Sequence, residues 1–245
     1  MKVKNIKSFI DFYQSMGVTM SINKEKRIDK KEINLTKIQK NITENFNSSS
    51  PECFNHEKLH NEVLNLNCNL KDIATNVVLF DGNPKAEIMF IGEAPGAEED
   101  KTGKPFVGQA GKLLDEMISY IGLSRIKNIY ITNVVFWRPP GNRTPNSQEI
   151  SACLPLTRKH IKLINPKVII LMGNVAAKSL LSTNEGISKV REKNLKYLDE
   201  QANLSIPVKA IFHPAYLLRN PIEKKKVWQD LKNLHKFLLK EKIIF

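Results

Sequence analysis

The stretch IMFIGEAPG, residues 88–96, sets four apolar residues directly against a turn built from Gly92, Glu93, Ala94, Pro95 and Gly96. A strand wetted on one face alternates apolar and polar residues, so an unbroken apolar run predicts a short strand covered on both faces. Runs of the same kind recur at 129–133, 168–172 and 208–212. Between them the apolar residues fall at helical spacing. Leu113, Leu114, Met117, Ile118 and Ile121 form one such pattern, and Ile150, Cys153, Leu154, Thr157 and Ile161 a second. Residues 175–181 form a third, and Val227, Trp228, Leu231, Leu234 and Leu238 a last. Strands alternating with helices predict an α/β fold, a three-layer sandwich whose central, mainly parallel, four-stranded sheet is flanked by helices. Open parallel sheets bind their ligands beyond the carboxyl ends of the strands. The polar residues gather there: 92–96 after the first strand, Asn133 at the end of the second, Gly173 and Asn174 after the third, His213 and Pro214 after the fourth.

Outward from this core the pattern weakens. A further helical stretch is expected around residues 57–66. Ile6, Phe9, Ile10, Tyr13 and Met16, followed by Gly17, predict an amphipathic helix within 1–20 that docks on the main domain. Residues 21–55 are dominated by Lys, Asn, Glu and Ser and end near NSSSP, which reads as a polar flexible linker. The catalytic domain is therefore expected over 56–245. Net charge is +13, from 38 Lys and Arg against 25 Asp and Glu. Such an excess favours polyanionic partners such as nucleic acid, although lysine enrichment in a chain also rich in Asn and Ile has a compositional reading as well. The three cysteines, Cys53, Cys68 and Cys153, suit neither a disulfide framework nor a zinc pair and read as reduced thiols. No apolar run reaches the roughly 20 residues of a membrane span, and the first residues lack a signal-peptide core. The expectation is a cytoplasmic protein with no membrane partner.

Three segments carry a resemblance: GEAPGAEEDKTGKPFVGQAGKLLDEM at 92–117, ITNVVFWRPPGNRTP at 131–145 and HPAYLLR at 213–219. In this order and spacing they resemble the family 4 uracil-DNA glycosylases, over roughly residues 68–234. The resemblance implies hydrolysis of the N-glycosidic bond of a flipped-out deoxyuridine, the first step of base excision repair, with uracil-containing DNA as partner and the chain acting as a monomer. A base buried in a duplex must be extruded before a pocket can read it. By resemblance Phe106 stacks on the uracil and Asn133 pairs with its O4 and N3–H edge. His213 is expected to donate to the oxyanion that develops near O2, and Glu93 is the candidate for positioning water, with Glu99 as the competing carboxylate. Better-known uracil glycosylases carry Asp where this chain has Ala94. Glu99 is expected beside C5, where it excludes the methyl group of thymine, and the backbone of Gly92, Glu93 and Ala94 is expected against the base. Taken singly, Phe106 also reads as core filler, Asn133 as a strand-end cap and His213 as a structural histidine. For the DNA strand, the turn at 139–143 and the loop at 216–219 are the expected contacts. Leu217 or Leu218 would fill the space left by the base, and Arg143 and Arg219 would meet phosphates.

The chain departs from the family pattern at two places. Most members hold a four-iron, four-sulfur cluster through four cysteines. Here Cys68 and Cys153 match ligand positions, while Asn65 and Trp137 stand at the other two. Neither replacement supplies a thiolate, so the cluster is expected to be absent, no cofactor is expected, and Trp137 is expected to fill part of its space. Arg191-Glu192 also stands where the family tends to have Arg-Gly. Two rival readings stay open: a glycosylase of the same fold with another base preference, such as hypoxanthine or mismatched thymine, and a non-catalytic DNA-binding protein. A flavodoxin-like nucleotide-binding domain is disfavoured, since neither GxGxxG nor a P-loop occurs.

Overall fold

The computed structural model describes residues 51–243, with side chains from residue 56 onward. The expected helix within 1–20 and the linker up to residue 50 lie outside the described residues. The last residues assigned to the linker are helical instead: α1 runs Pro51–Leu64, and a proline suits a first helical turn because its missing N–H has no partner to lose there.

The compact unit Leu59–Phe245 holds the sheet. Its central strands are β2 (Ile88–Gly92), β3 (Ile129–Asn133), β4 (Val168–Met172) and β6 (Leu204–Ile211). They lie in the order β3-β2-β4-β6, all parallel, and β2, β3 and β4 are buried along their whole length, as unbroken apolar runs require. Two further strands make the sheet six-stranded rather than four-stranded. Both are antiparallel edges: β1 (Phe80–Gly82) on β3 and β5 (Leu195–Asp199) on β6. β1 spans only three residues, and β5 reads Leu-Lys-Tyr-Leu-Asp with Tyr197 alone fully buried, so neither shows the apolar run that marks a central strand.

Helices cover the sheet. α3 (Gln109–Ser119) buries Leu113, Leu114, Met117 and Ile118, the face its periodicity predicts. α4 (Ser147–Ile164) starts with a capping box, in which the Asn146 side chain accepts from the Glu149 N–H and Glu149 accepts from the Asn146 N–H. α5 (Asn174–Leu181) follows β4, and α8 (Lys224–Lys240) buries Val227, Leu231, Leu234 and Leu238. Three short helices complete the connections: α2 (Ala97–Thr102), α6 (Ile187–Val190) and α7 (Pro214–Arg219). Among the described residues no helix is long and apolar enough to cross a membrane.

Candidate active site

Parallel pairing sets the carboxyl ends of β2 and β3 side by side, with Gly92 in register with Asn133. Pairing continues past the strands, because the N–H groups of Val134 and Val135 donate to the carbonyls of Gly92 and Glu93. Beyond β6, His213 caps α7: its Nδ1 accepts the N–H of Ala215 at 3.2 Å, with Pro214 at the first helical position. That bond leaves the ring proton of a neutral imidazole on Nε2. Burial, helped by the Arg219 charge, holds the His213 pKa down at about 4, so the ring is neutral at pH 7.

A cleft of about 380 Å³ opens at this edge of the sheet and is lined by Glu93, Ala94, Glu99, Phe106, Asn133 and His213. Asn142, Arg143, Thr144, Tyr216 and Arg219 form its outer wall. Phe106 is buried, and its ring centroid lies 5.6 Å from that of His213. Gly92 lies behind the ring. A Cβ there would come within 2.4 Å of the Phe106 ring and 2.5 Å of Asn133 Oδ1, so only glycine lets these three groups meet. Asn133 is buried, and its Oδ1 has no hydrogen-bond partner within the protein. Buried acceptors are rarely left in that state, which sets this oxygen apart among the polar groups of the cleft. Burial raises the Glu93 pKa from its ordinary value, while the Thr144 side chain, hydrogen-bonded to it, and the Arg219 charge pull it back.

Residues 79–232, well over half of the chain, match the family model described as the Uracil DNA glycosylase superfamily. A type-4 uracil-DNA glycosylase of Sulfurisphaera tokodaii is 43% identical over 192 residues, covering 76% of this chain and 86% of that protein. Another, of Thermotoga maritima, is 42% identical over 177 residues, covering 71% of this chain and 89% of its own. The chain belongs to the type-4 uracil-DNA glycosylases.

Against this family's pattern the expected residues separate into those the cleft gathers and those it does not. Phe106, Asn133, His213, Glu93, Ala94 and Glu99 line one cavity, with Gly92 behind it. Glu99 does more than border the space. Its Oε1 accepts the N–H groups of Val107 and Gly108 at 2.9 and 2.8 Å, and its Oε2 accepts that of Gly96 at 3.2 Å, so the carboxylate shapes the Phe106 loop. Arg143 lines the cleft, but its guanidinium is paired with Glu149 through both terminal nitrogens, at 2.9 and 2.6 Å. Arg219 lines the cleft too, within electrostatic reach of Glu93 and His213.

Leu217 is a correction. It is 0% exposed, whereas Leu218 is 44% exposed. α7 packs on α3, so only one of two adjacent helical leucines can face outward, and Leu217 is core rather than a tip that enters DNA. Tyr216, from the loop expected to contact DNA, lines the cleft, and so does Thr144, whose residue type alone suggests no role and whose signal was its place in the NRTP motif.

The four positions expected from the resemblance to correspond to cluster ligands are Asn65, Cys68, Trp137 and Cys153. Cys68 and Cys153 are buried, free and in contact with each other, and burial pushes the Cys153 thiol up to about 12. Trp137 is buried, edge-on to Phe136 at 6.2 Å, and Asn65 is exposed. Two touching thiols, one holding its proton tightly, beside an indole that cannot ligate iron, do not fit a four-cysteine cluster. Among the described residues no group of three or more His, Cys, Asp or Glu side chains is arranged to hold a metal ion. Glu192 replaces the family's glycine without strain, since its φ is not positive, and the neighbouring Arg191 is bound by Asp230 at 2.8 and 2.9 Å.

Proposed function

We propose that this protein is a monofunctional uracil-DNA glycosylase that hydrolyses the N-glycosidic bond of a flipped-out deoxyuridine. The observation that carries this reading is the convergence on one cleft of an aromatic ring, a buried amide oxygen with no partner and a neutral imidazole. In the reading, the uracil slides against the Phe106 ring, and Asn133 offers Oδ1 to N3–H and its amide N–H to O4. Cytosine has an acceptor at N3 and a donor at C4, so the same amide orientation repels it. Glu99, its carboxylate fixed by three backbone N–H groups, borders the base near C5 and leaves no room for a methyl.

Bond cleavage leaves negative charge on the uracil and positive charge on the sugar. His213 donates Nε2–H to the uracil oxygen that gathers charge, and being neutral it needs no proton loss or gain during the step. Glu93 orients water toward the sugar carbon, held in place by Thr144 and Arg219. On the DNA side, Leu218 occupies the gap left by the base, and Arg219 and Arg143 face phosphates. The reading includes no iron–sulfur cluster, for the reason that two thiols and an indole stand where four thiolates are needed. The reading takes the chain as a monomer, and the free thiols Cys68 and Cys153 suit the reducing cytoplasm.

Product analysis with U:G, U:A and single-stranded uracil oligonucleotides, beside duplexes carrying hypoxanthine or a T:G mismatch, tests the reading, with His213→Ala beside the parent. Single-turnover excision is expected to fall about 10² to 10³-fold in the variant, the usual loss when one oxyanion donor is removed. Unchanged excision by His213→Ala, or release of hypoxanthine or thymine in preference to uracil, overturns it.

A further inference from the structure

Phe106 occupies a backbone conformation that a bulky residue avoids, with φ at +56° in the left-handed region. Such a conformation costs on the order of 1–3 kcal/mol and persists only where the surroundings over-determine it. The surroundings here are unusually complete. On one side, Glu99 accepts the N–H groups of the two residues that follow, Val107 and Gly108. On the other side, the guanidinium of Arg125 donates to the carbonyl of Pro105 at 2.7 Å and to the carbonyl of Phe106 itself. α3 closes from below at Gly111, where a Cβ would lie 1.7 Å from the Phe106 carbonyl oxygen.

Arg125 is itself held. Its Nε donates to Asp115 on α3 at 2.8 Å, and its Nη1 also donates to Asp81 on β1 at 3.0 Å. Its side chain is only 14% exposed, and it does not line the cleft. All of its polar reach is spent on two carboxylates and two successive carbonyls. A planar fork is needed to span two carbonyls while a third edge stays bonded to carboxylates.

We propose that Arg125 is a positioning residue for excision: by gripping the carbonyls of Pro105 and Phe106 it fixes the left-handed turn that aims the Phe106 ring at the base. It acts through Phe106 and touches no substrate. The proposal rests on the reading of Phe106 as the stacking platform.

The test is the pair Arg125→Lys and Asp115→Asn. Lysine keeps the charge for Asp81 and Asp115 but cannot fork across both carbonyls. Asp115→Asn weakens one anchor at a half-exposed position and keeps the fold should the lysine variant fail to fold. Three quantities are measured on each: inhibition by free uracil, single-turnover excision rate, and affinity for undamaged duplex DNA. Arg125→Lys is expected to weaken uracil inhibition and slow excision about tenfold or more, as a misplaced contact of about an ångström does. Asp115→Asn is expected to move both in the same direction by less. Affinity for undamaged DNA, which reads phosphate contacts, should stay within a factor of about two. Leu234→Ala, in the core of α8, is the stability control and should lower the melting temperature without moving uracil inhibition. Uracil inhibition and rate that match the parent in both variants overturn the proposal, as does an equal change in the Leu234→Ala control. The two failures separate cleanly. A parent enzyme that free uracil does not inhibit discards the stacking reading; a parent that is inhibited, with variants inhibited equally, discards only Arg125.

Discussion

The two walls of the cleft are built on different principles. Gly92 and Asn133 stand in register at the carboxyl ends of β2 and β3, and His213 stands just beyond β6 where it caps α7, so the sheet and its first turns bring the three together. Phe106 stands on the loop between α2 and α3, where no ladder reaches it. Its place is fixed instead by side chains of the flanking helices and of segments farther off: Glu99 on the N–H groups, Arg125 on the carbonyls, with Asp81 and Asp115 behind. A wall made by register needs few specialised residues, because the sheet's hydrogen bonds do the placing. A wall made by a loop needs charged clamps, since only bonds to its own backbone can hold it in a strained turn.

The joint between the walls is where the comparison can be broken most forcefully. Gly92→Ala puts a methyl within 2.4 Å of the Phe106 ring and 2.5 Å of Asn133 Oδ1. If the loop wall were soft, the ring would swing aside and excision would survive. With the ring clamped from both sides, the methyl must displace the amide or keep the base from its seat, and kcat/KM is expected to fall about 10²-fold or more. Near-parental single-turnover excision by Gly92→Ala would mean that the loop wall yields.

The same division explains which parts of the molecule are legible in its sequence. The strands at 88–92 and 168–172 are apolar up to their ends, the strand at 129–133 is apolar up to Thr132, and their ends carry the residues expected there. Asn133, His213 and Phe106 are legible because motif residues keep their order and spacing. β1 and β5 are not, because edge strands keep one face wet and hold only short or alternating patterns. Arg125 is not legible either. It lies 19 residues from Phe106 in the chain, and its role exists only once the fold has closed around the loop. The misassignment of Leu217 has a still smaller cause, a single step of helical phase: both leucines sit in the HPAYLLR motif, and only packing against α3 says which one turns inward.

That phase can be tested by the contrast between two adjacent substitutions. Leu217→Ala opens a cavity in a fully buried site and is expected to cost about 2–5 kcal/mol of stability, read by denaturant unfolding. Leu218→Ala, at 44% exposure, is expected to leave stability within about 0.5 kcal/mol while slowing excision from duplex more than from single strands. The reverse pattern, a stable Leu217→Ala with a duplex-specific defect, would return Leu217 to the DNA-facing tip and leave α7 wrongly rotated.

The smallest expected effect bears on the register-built wall alone, through pH. His213 has its folded pKa held down at about 4, below an unfolded value near 6.5. Between those values the unfolded chain binds a proton that the folded chain refuses, so stability rises with pH across the window and is lost as pH falls through it. Taken alone the shift corresponds to on the order of 3 kcal/mol. Glu93 works against it: its folded pKa is raised, so its protonated form favours the fold and its contribution is lost as pH rises. Asp230, which burial pushes up to about 6, opposes His213 over the same range, so the His213 contribution is read as the difference between parent and variant rather than from the sign of the parent's slope. Relative to the parent, His213→Gln should make the slope less positive, and Glu93→Gln should make it more positive. Melting temperatures of the three proteins at half-unit intervals of pH decide the matter. A slope unchanged in His213→Gln would place the imidazole in water rather than against Gly173 and the Phe106 ring, where the packing of this wall requires it to be.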